Sequence, residues 1–196
     1  MRSFASLAAL LLALASPAQA MSFTYGVTLV PESAGATGSG SGTVVYDDVL
    51  HSVSITTTWS GLSGTTTSAH IHCCVATPGT GTAAVALTPG TLPGFPTGVT
   101  SGSYLTTPVL DLSMASTYPA AFVLGAGGTA AGAEAALFAG MNSGRAYLNI
   151  HTSTYPAGEI RGFLTPVPEP GLSVLVLGAG ALLGFARRRF AECPAQ

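Results

Sequence analysis

An all-β domain, built as a sandwich or barrel of short strands with Greek-key connections and one short helix in a late connection, is the fold this sequence predicts. Three features carry the prediction. Apolar residues alternate with Ser, Thr and Gly in several runs, the two-residue period of half-buried strands. Gly- and Pro-rich clusters punctuate those runs at short spacing. Only Gly132 to Met141 concentrates good helix formers, at Ala133, Glu134, Ala135, Ala136 and Leu137.

Phe23, Tyr25, Val27 and Leu29 alternate with small polar residues and open the domain as a strand. Gly38 to Tyr46 and Val49 to Trp59 predict a hairpin turning at Asp47-Asp48. On its second arm Val49, Val53, Ile55 and Trp59 share one face, and the alternation puts His51 on that face as a core or edge histidine. Ser68 to Val75 reads as the next strand, and Ala83 to Leu87 as a short apolar one. Beyond the Pro/Gly-rich stretch Pro89 to Gly98 come Ser103 to Leu105 and Val109-Leu110. After the helix, with Gly140 and Gly144 as stop signals, Arg145 to Thr152 and Glu159 to Leu164 form a second hairpin closed by Ser153 to Gly158.

The two ends read as addresses rather than as parts of the domain. Arg2, the apolar run Leu7 to Ala15, the break at Ser16-Pro17 and the small residues of Ala18-Gln19-Ala20 make residues 1–20 a secretory signal peptide, with the mature chain starting near Met21. A second apolar run, Leu172 to Ala186, is followed at once by Arg187, Arg188 and Arg189. Roughly fifteen residues as a helix span about 22 Å, short of the roughly 30 Å hydrocarbon core, so snorkelling arginines must help it cross. Those arginines act as a membrane stop and keep the far end cytoplasmic, which places the domain outside. Both ends therefore predict one topology.

Between the run and the domain stands Val167-Pro168-Glu169-Pro170-Gly171, where two prolines predict an extended, accessible stem. Pro168-Glu169-Pro170, a short glycine-containing apolar run and an arginine cluster resemble a PEP-CTERM sorting tail over residues 166–196, with a transmembrane helix at 172–186. The resemblance implies processing by a membrane-embedded exosortase-type enzyme, transient attachment to the inner membrane, and a host that makes exopolysaccharide. A plain membrane anchor is the alternative.

Charge narrows the partners. The domain between residues 21 and 165 sets Arg145 and Arg161 against Glu32, Asp47, Asp48, Asp111, Glu134 and Glu159, and the chain has no lysine. A phosphate backbone needs clustered cations, so nucleic acid is excluded as a partner. No nucleophile elbow and no phosphate-binding loop occurs, and no catalytic residues are expected.

The chemistry-bearing residues are histidines and cysteines. His70 and His72 stand two apart, which on a strand puts both rings on one face about 6.5–7 Å apart along the backbone. His151 falls on the strand that enters the second hairpin. If the two strands are neighbours, three imidazoles converge, a set suited to copper or zinc. The same alternation puts Cys74 on the histidine face as a further candidate ligand and turns Cys73 away. The vicinal cysteines can also bond to each other or to another chain. Glu159 and Arg161 share a face of the last strand and read as a structural ion pair or backbone clamp, and Gly162 as a point of close backbone approach.

Ala69-His70-Ile71-His72, then Ala146 to Thr152, then Pro156-Ala157-Gly158-Glu159-Ile160-Arg161-Gly162 resemble a CHRD domain, the chordin-type domain of many exported bacterial proteins, over about Phe23 to Leu164. The resemblance implies an immunoglobulin-like or copper–zinc superoxide-dismutase-like sandwich. It puts His70, His72 and His151 in the place of copper ligands and Arg161 in that of an anion-guiding arginine. No histidine lies between His72 and His151 to bridge two metals, so a dismutase is not the expectation. The expectation is an exported, non-enzymatic surface or exopolymer-matrix protein. A copper-binding or redox protein using His70, His72, His151 and Cys74 is the alternative.

Overall fold

The structure is a computed structural model that describes residues 21–168 of the chain. The proposed signal peptide, Glu169 and Pro170 of the sorting motif, the apolar run 172–186 and Arg187 to Arg189 lie outside the described residues. Among the described residues no helix is long and apolar enough to cross a membrane.

The chain is mostly β. In order come β1 (Ser22–Pro31), β2 (Ser39–Asp47), β3 (Ser52–Ser60), β4 (Thr66–His72), β5 (Val85–Leu87), β6 (Gly102–Leu105), β7 (Leu110–Asp111), α1 (Ala120–Gly125), α2 (Ala130–Asn142), β8 (Tyr147–Thr152), β9 (Ile160–Phe163) and β10 (Thr165–Pro166). They form one antiparallel sheet ordered β5-β4-β8-β9-β1-β2-β3-β6, with β7 on β3 and β10 on β1. The two halves of the expected sandwich are therefore continuous, one sheet curled on itself. β1 makes the join, since Ser22 to Leu29 pair with β2 while Val30 and Pro31 pair with β9. Gly162 of β9 permits that approach, because a Cβ there would collide with the Thr28 carbonyl and with Val27.

The inner faces behave as the alternation predicts. Tyr25, Val27 and Leu29 of β1, Val44 and Tyr46 of β2, and Val53, Ile55 and Trp59 of β3 are buried in one core with Ile71, Leu148, Ile150 and Ile160 from the other half. The outer faces of β1, β2, β3 and β6 carry exposed hydroxyls in register, Thr28, Ser41, Thr58 and Ser103.

Several boundaries move. The first hairpin turns over residues 48–51, wider than Asp47-Asp48 alone, because the Asp47 carboxylate accepts from the N–H groups of Val49 and Leu50 and holds them off the strand. Val49 is consequently exposed, and His51 sits in the turn with φ 48° rather than on the core face. Its ring reaches across to Glu134 of α2, 3.0 Å away, and Tyr46 donates to the same carboxylate. The predicted helix is α2, capped by the Thr129 hydroxyl accepting from Gly132. A further helical turn, α1, follows Pro119 and was not expected. At the end of the domain, Thr165 and Pro166 continue the sheet beside Gly26 and Tyr25 instead of starting a free stem. An edge strand tolerates Pro166, which has no N–H to give. Pro168 is exposed beyond it.

Candidate metal centre

β4 and β8 are antiparallel neighbours, with Ser68 opposite His151, His70 opposite Asn149 and His72 opposite Tyr147. Side chains two apart on a strand share a face, so this register brings His70, His72 and His151 together. Ring centroids lie 5.7 Å apart for His70–His72, 5.0 Å for His70–His151 and 5.8 Å for His72–His151. One nitrogen of each ring lies within 4.8 Å of the others, the spacing at which three donors can meet one ion. All three residues are largely buried.

The outer end of each ring is held by a backbone carbonyl. His70 Nε2 bonds to Gly90, His72 Nδ1 to Ala83 at 2.9 Å, and His151 Nδ1 to Pro156 at 2.9 Å. A carbonyl only accepts, so each of those nitrogens carries the proton and the other nitrogen of each neutral ring is a lone pair. Those remaining atoms, His70 Nδ1, His72 Nε2 and His151 Nε2, are buried with no hydrogen-bond partner. Leaving a buried polar atom unsatisfied costs about 1–3 kcal/mol, and three such atoms in one cluster call for a ligand that accepts lone pairs. A cation fits, and carbonyl-held outer nitrogens are the support that metal-bound histidines ordinarily have.

Burial lowers the His70 pKa, the Gly90 carbonyl opposing and the neighbouring His151 adding to the effect. For His72 burial is again the largest cause, set against the Ala83 carbonyl and reinforced by His70, His151 and Arg161, and its pKa falls to about 4. Two of the three rings are therefore held neutral, the form that ligates.

The surrounding side chains fix this geometry. His72 stacks on Tyr147, centroids 4.8 Å apart and planes 4° from parallel. The Tyr147 hydroxyl accepts from the Ala83 N–H at 3.2 Å, which steadies the segment whose carbonyl orients His72. Arg161 lies over the Tyr147 ring at 5.1 Å, donates to the Gly81 carbonyl and pairs with Glu32 at 3.1 Å. The arginine that the resemblance put in an anion-guiding place is thus paired with Glu32. Of the two readings of Glu159 and Arg161, the ion pair is not formed. The Glu159 carboxylate instead accepts from Ser63, Gly64 and Thr152, the backbone clamp of the two readings.

Cys74 does not join the histidines. β4 ends at His72, so strand alternation cannot be extended two residues further. Cys74 is bonded to Cys73, and its Sγ lies 3.7 Å from the Ala136 carbonyl of α2. His51 is likewise away from the cluster.

What the sequence reading missed are the carbonyls of Ala83, Gly90 and Pro156 and the ring of Tyr147. Tyr147 was within reach, being four residues from His151 on a strand and so on its face. The carbonyls carry no side-chain signal at all.

Residues 22–164 match the CHRD domain family, and the chain belongs to it. No curated protein and no solved structure matches the chain.

Proposed function

We propose that this is a non-enzymatic, extracytoplasmic metal-binding protein whose CHRD domain holds one copper or zinc ion on His70, His72 and His151. The observation that carries the reading is the set of three buried imidazole nitrogens left as unpartnered lone pairs by three backbone carbonyls. Neutral imidazole suits copper and zinc, and three such ligands leave one coordination position open. The charged groups nearby are paired or clamped, Arg161 with Glu32 and Glu159 by its loop, which supports a binding rather than a catalytic role.

The test is direct. Titrated with Zn(II), Cu(II) or Cu(I), the purified protein takes up one equivalent of metal by elemental analysis, and its Tm rises because only the folded chain assembles the site. At about a hundredfold excess over Kd the gain is about 2.7 kcal/mol. No uptake at micromolar metal under oxidising and reducing conditions alike would overturn the reading.

Its location is part of the proposal. Residues 1–20 export the chain, the run 172–186 holds it at the inner membrane, and an exosortase-type enzyme releases it near Pro168-Glu169-Pro170 to the cell surface or an exopolysaccharide matrix. The uncharged hydroxyl row Thr28, Ser41, Thr58 and Ser103 supports contact with a neutral polymer. Mass spectrometry of surface-released protein finds peptides ending near the motif and none from Arg187 onward. An intact chain through Gln196 as the dominant surface form would sink this part.

A further inference from the structure

We propose that the Cys73–Cys74 disulfide is a thiol-exchange site attacked at Cys74 by small apolar thiols. The bond joins adjacent residues, so it closes no loop, and the cross-link stabilisation that grows with loop length is nearly absent. Stapling the fold does not account for it. Its two sulfurs also differ in their surroundings. Cys73 is 4% exposed and belongs to the core. Cys74 is only partly buried and lines a cavity of about 420 Å³ with Val85, Phe122, Ala126 and Ala136, open at Ala84 and Ala121. α2 lies against the pair as well, with Ala136 in the cavity wall. Gly140 packs against both sulfurs, and a Cβ there would collide with each of them.

Access decides which sulfur of a disulfide is attacked. A thiolate in the cavity attacks Cys74 Sγ, the Cys73–Cys74 bond breaks, a mixed disulfide forms on Cys74, and Cys73 leaves as a thiolate that takes up a proton. A second thiol attacks the mixed disulfide through its own sulfur, releases the oxidised small-molecule disulfide, and leaves Cys74 as a thiol. Two thiols are oxidised, the cysteine pair gains two electrons, and the two thiol protons end on Cys73 and Cys74. The reduced Cys74 keeps an acceptor in the Ala136 carbonyl, 3.7 Å from its sulfur. The cavity wall is almost wholly apolar, which selects an apolar thiol over a charged one.

The proposal is independent of the metal reading and is tested on chelator-treated full-length protein carrying Cys193→Ser, so that the pair supplies the only cysteines. One equivalent of benzyl mercaptan, quenched early with N-ethylmaleimide, yields the thiol adduct on Cys74 and the maleimide on Cys73, and reacts about tenfold faster than glutathione. Ala121→Trp, at the exposed mouth of the cavity, slows benzyl mercaptan about tenfold without changing the fold read by circular dichroism. An adduct on Cys73, reaction only after denaturation, or an Ala121→Trp rate equal to the parent's would each overturn the proposal.

Discussion

Replacing any one of His70, His72 and His151 by alanine abolishes stoichiometric copper or zinc uptake, whereas His51→Ala leaves it intact. Each triad ring supplies one of the three donor atoms of the cluster, and the two that remain lack the third nitrogen of the set. His51 is half-exposed and faces Glu134, so its loss touches no donor. Tyr147→Phe lies between these extremes. It keeps the ring stacked on His72 but removes the hydroxyl that steadies Ala83, and loss of such outer support costs about tenfold in affinity. The quantity to read is metal bound per chain, together with the metal-dependent rise in Tm. Misfolding of a variant is thereby distinguished from loss of a ligand, since a misfolded chain loses its metal-free transition as well. Full uptake by His72→Ala would show that the cluster is structural.

The histidine pair was legible because strand alternation is a strong local rule, and His70 and His72 sit wholly inside β4. Its partner was legible only conditionally. Nothing local in Tyr147 to Thr152 says which strand it joins, since register is decided by long-range pairing of whole inner faces. The same rule failed where an element stopped earlier than the pattern. Cys74 lies two residues past the end of β4, and His51 lies in a turn that the Asp47 carboxylate widens. α1 escaped because six residues, Ala120–Gly125, are too few to show a helical period, although Pro119 marks its start. The curl of the sheet was not legible at all. It rests on β1 serving two neighbours, β2 along most of its length and β9 at Val30 and Pro31.

Glu159→Gln destabilises the domain at neutral pH by about 3 kcal/mol, a fall in Tm of roughly 10 °C, and flattens its acid limb. The side chain is fully buried and accepts from the Ser63 N–H at 2.6 Å, the Ser63 hydroxyl at 2.7 Å, the Gly64 N–H at 3.2 Å and the Thr152 hydroxyl at 2.6 Å. These bonds tie the segment leading into β4 to the loop between β8 and β9, the loop whose Pro156 carbonyl holds His151. An amide presents one oxygen to those donors and turns an NH₂ toward the rest, so buried N–H and O–H groups lose their acceptor. The pH dependence follows from the same contacts. Burial works to raise the Glu159 pKa, but the bonds from Thr152, Ser63 and Gly64 outweigh it and hold the carboxyl below its ordinary value. With the folded value depressed, the unfolded chain binds more protons in the window between the two. The contribution of Glu159 is therefore complete above the unfolded value near about 4.3, and is lost as pH falls through the lower folded one. Glutamine has no proton to gain, so the gap between parent and variant narrows on acidification. Urea melts of both proteins from about pH 7 down to about pH 3 read this directly. A gap that stays constant, or a variant as stable as the parent at pH 7, would show that the clamp does not hold the two loops together.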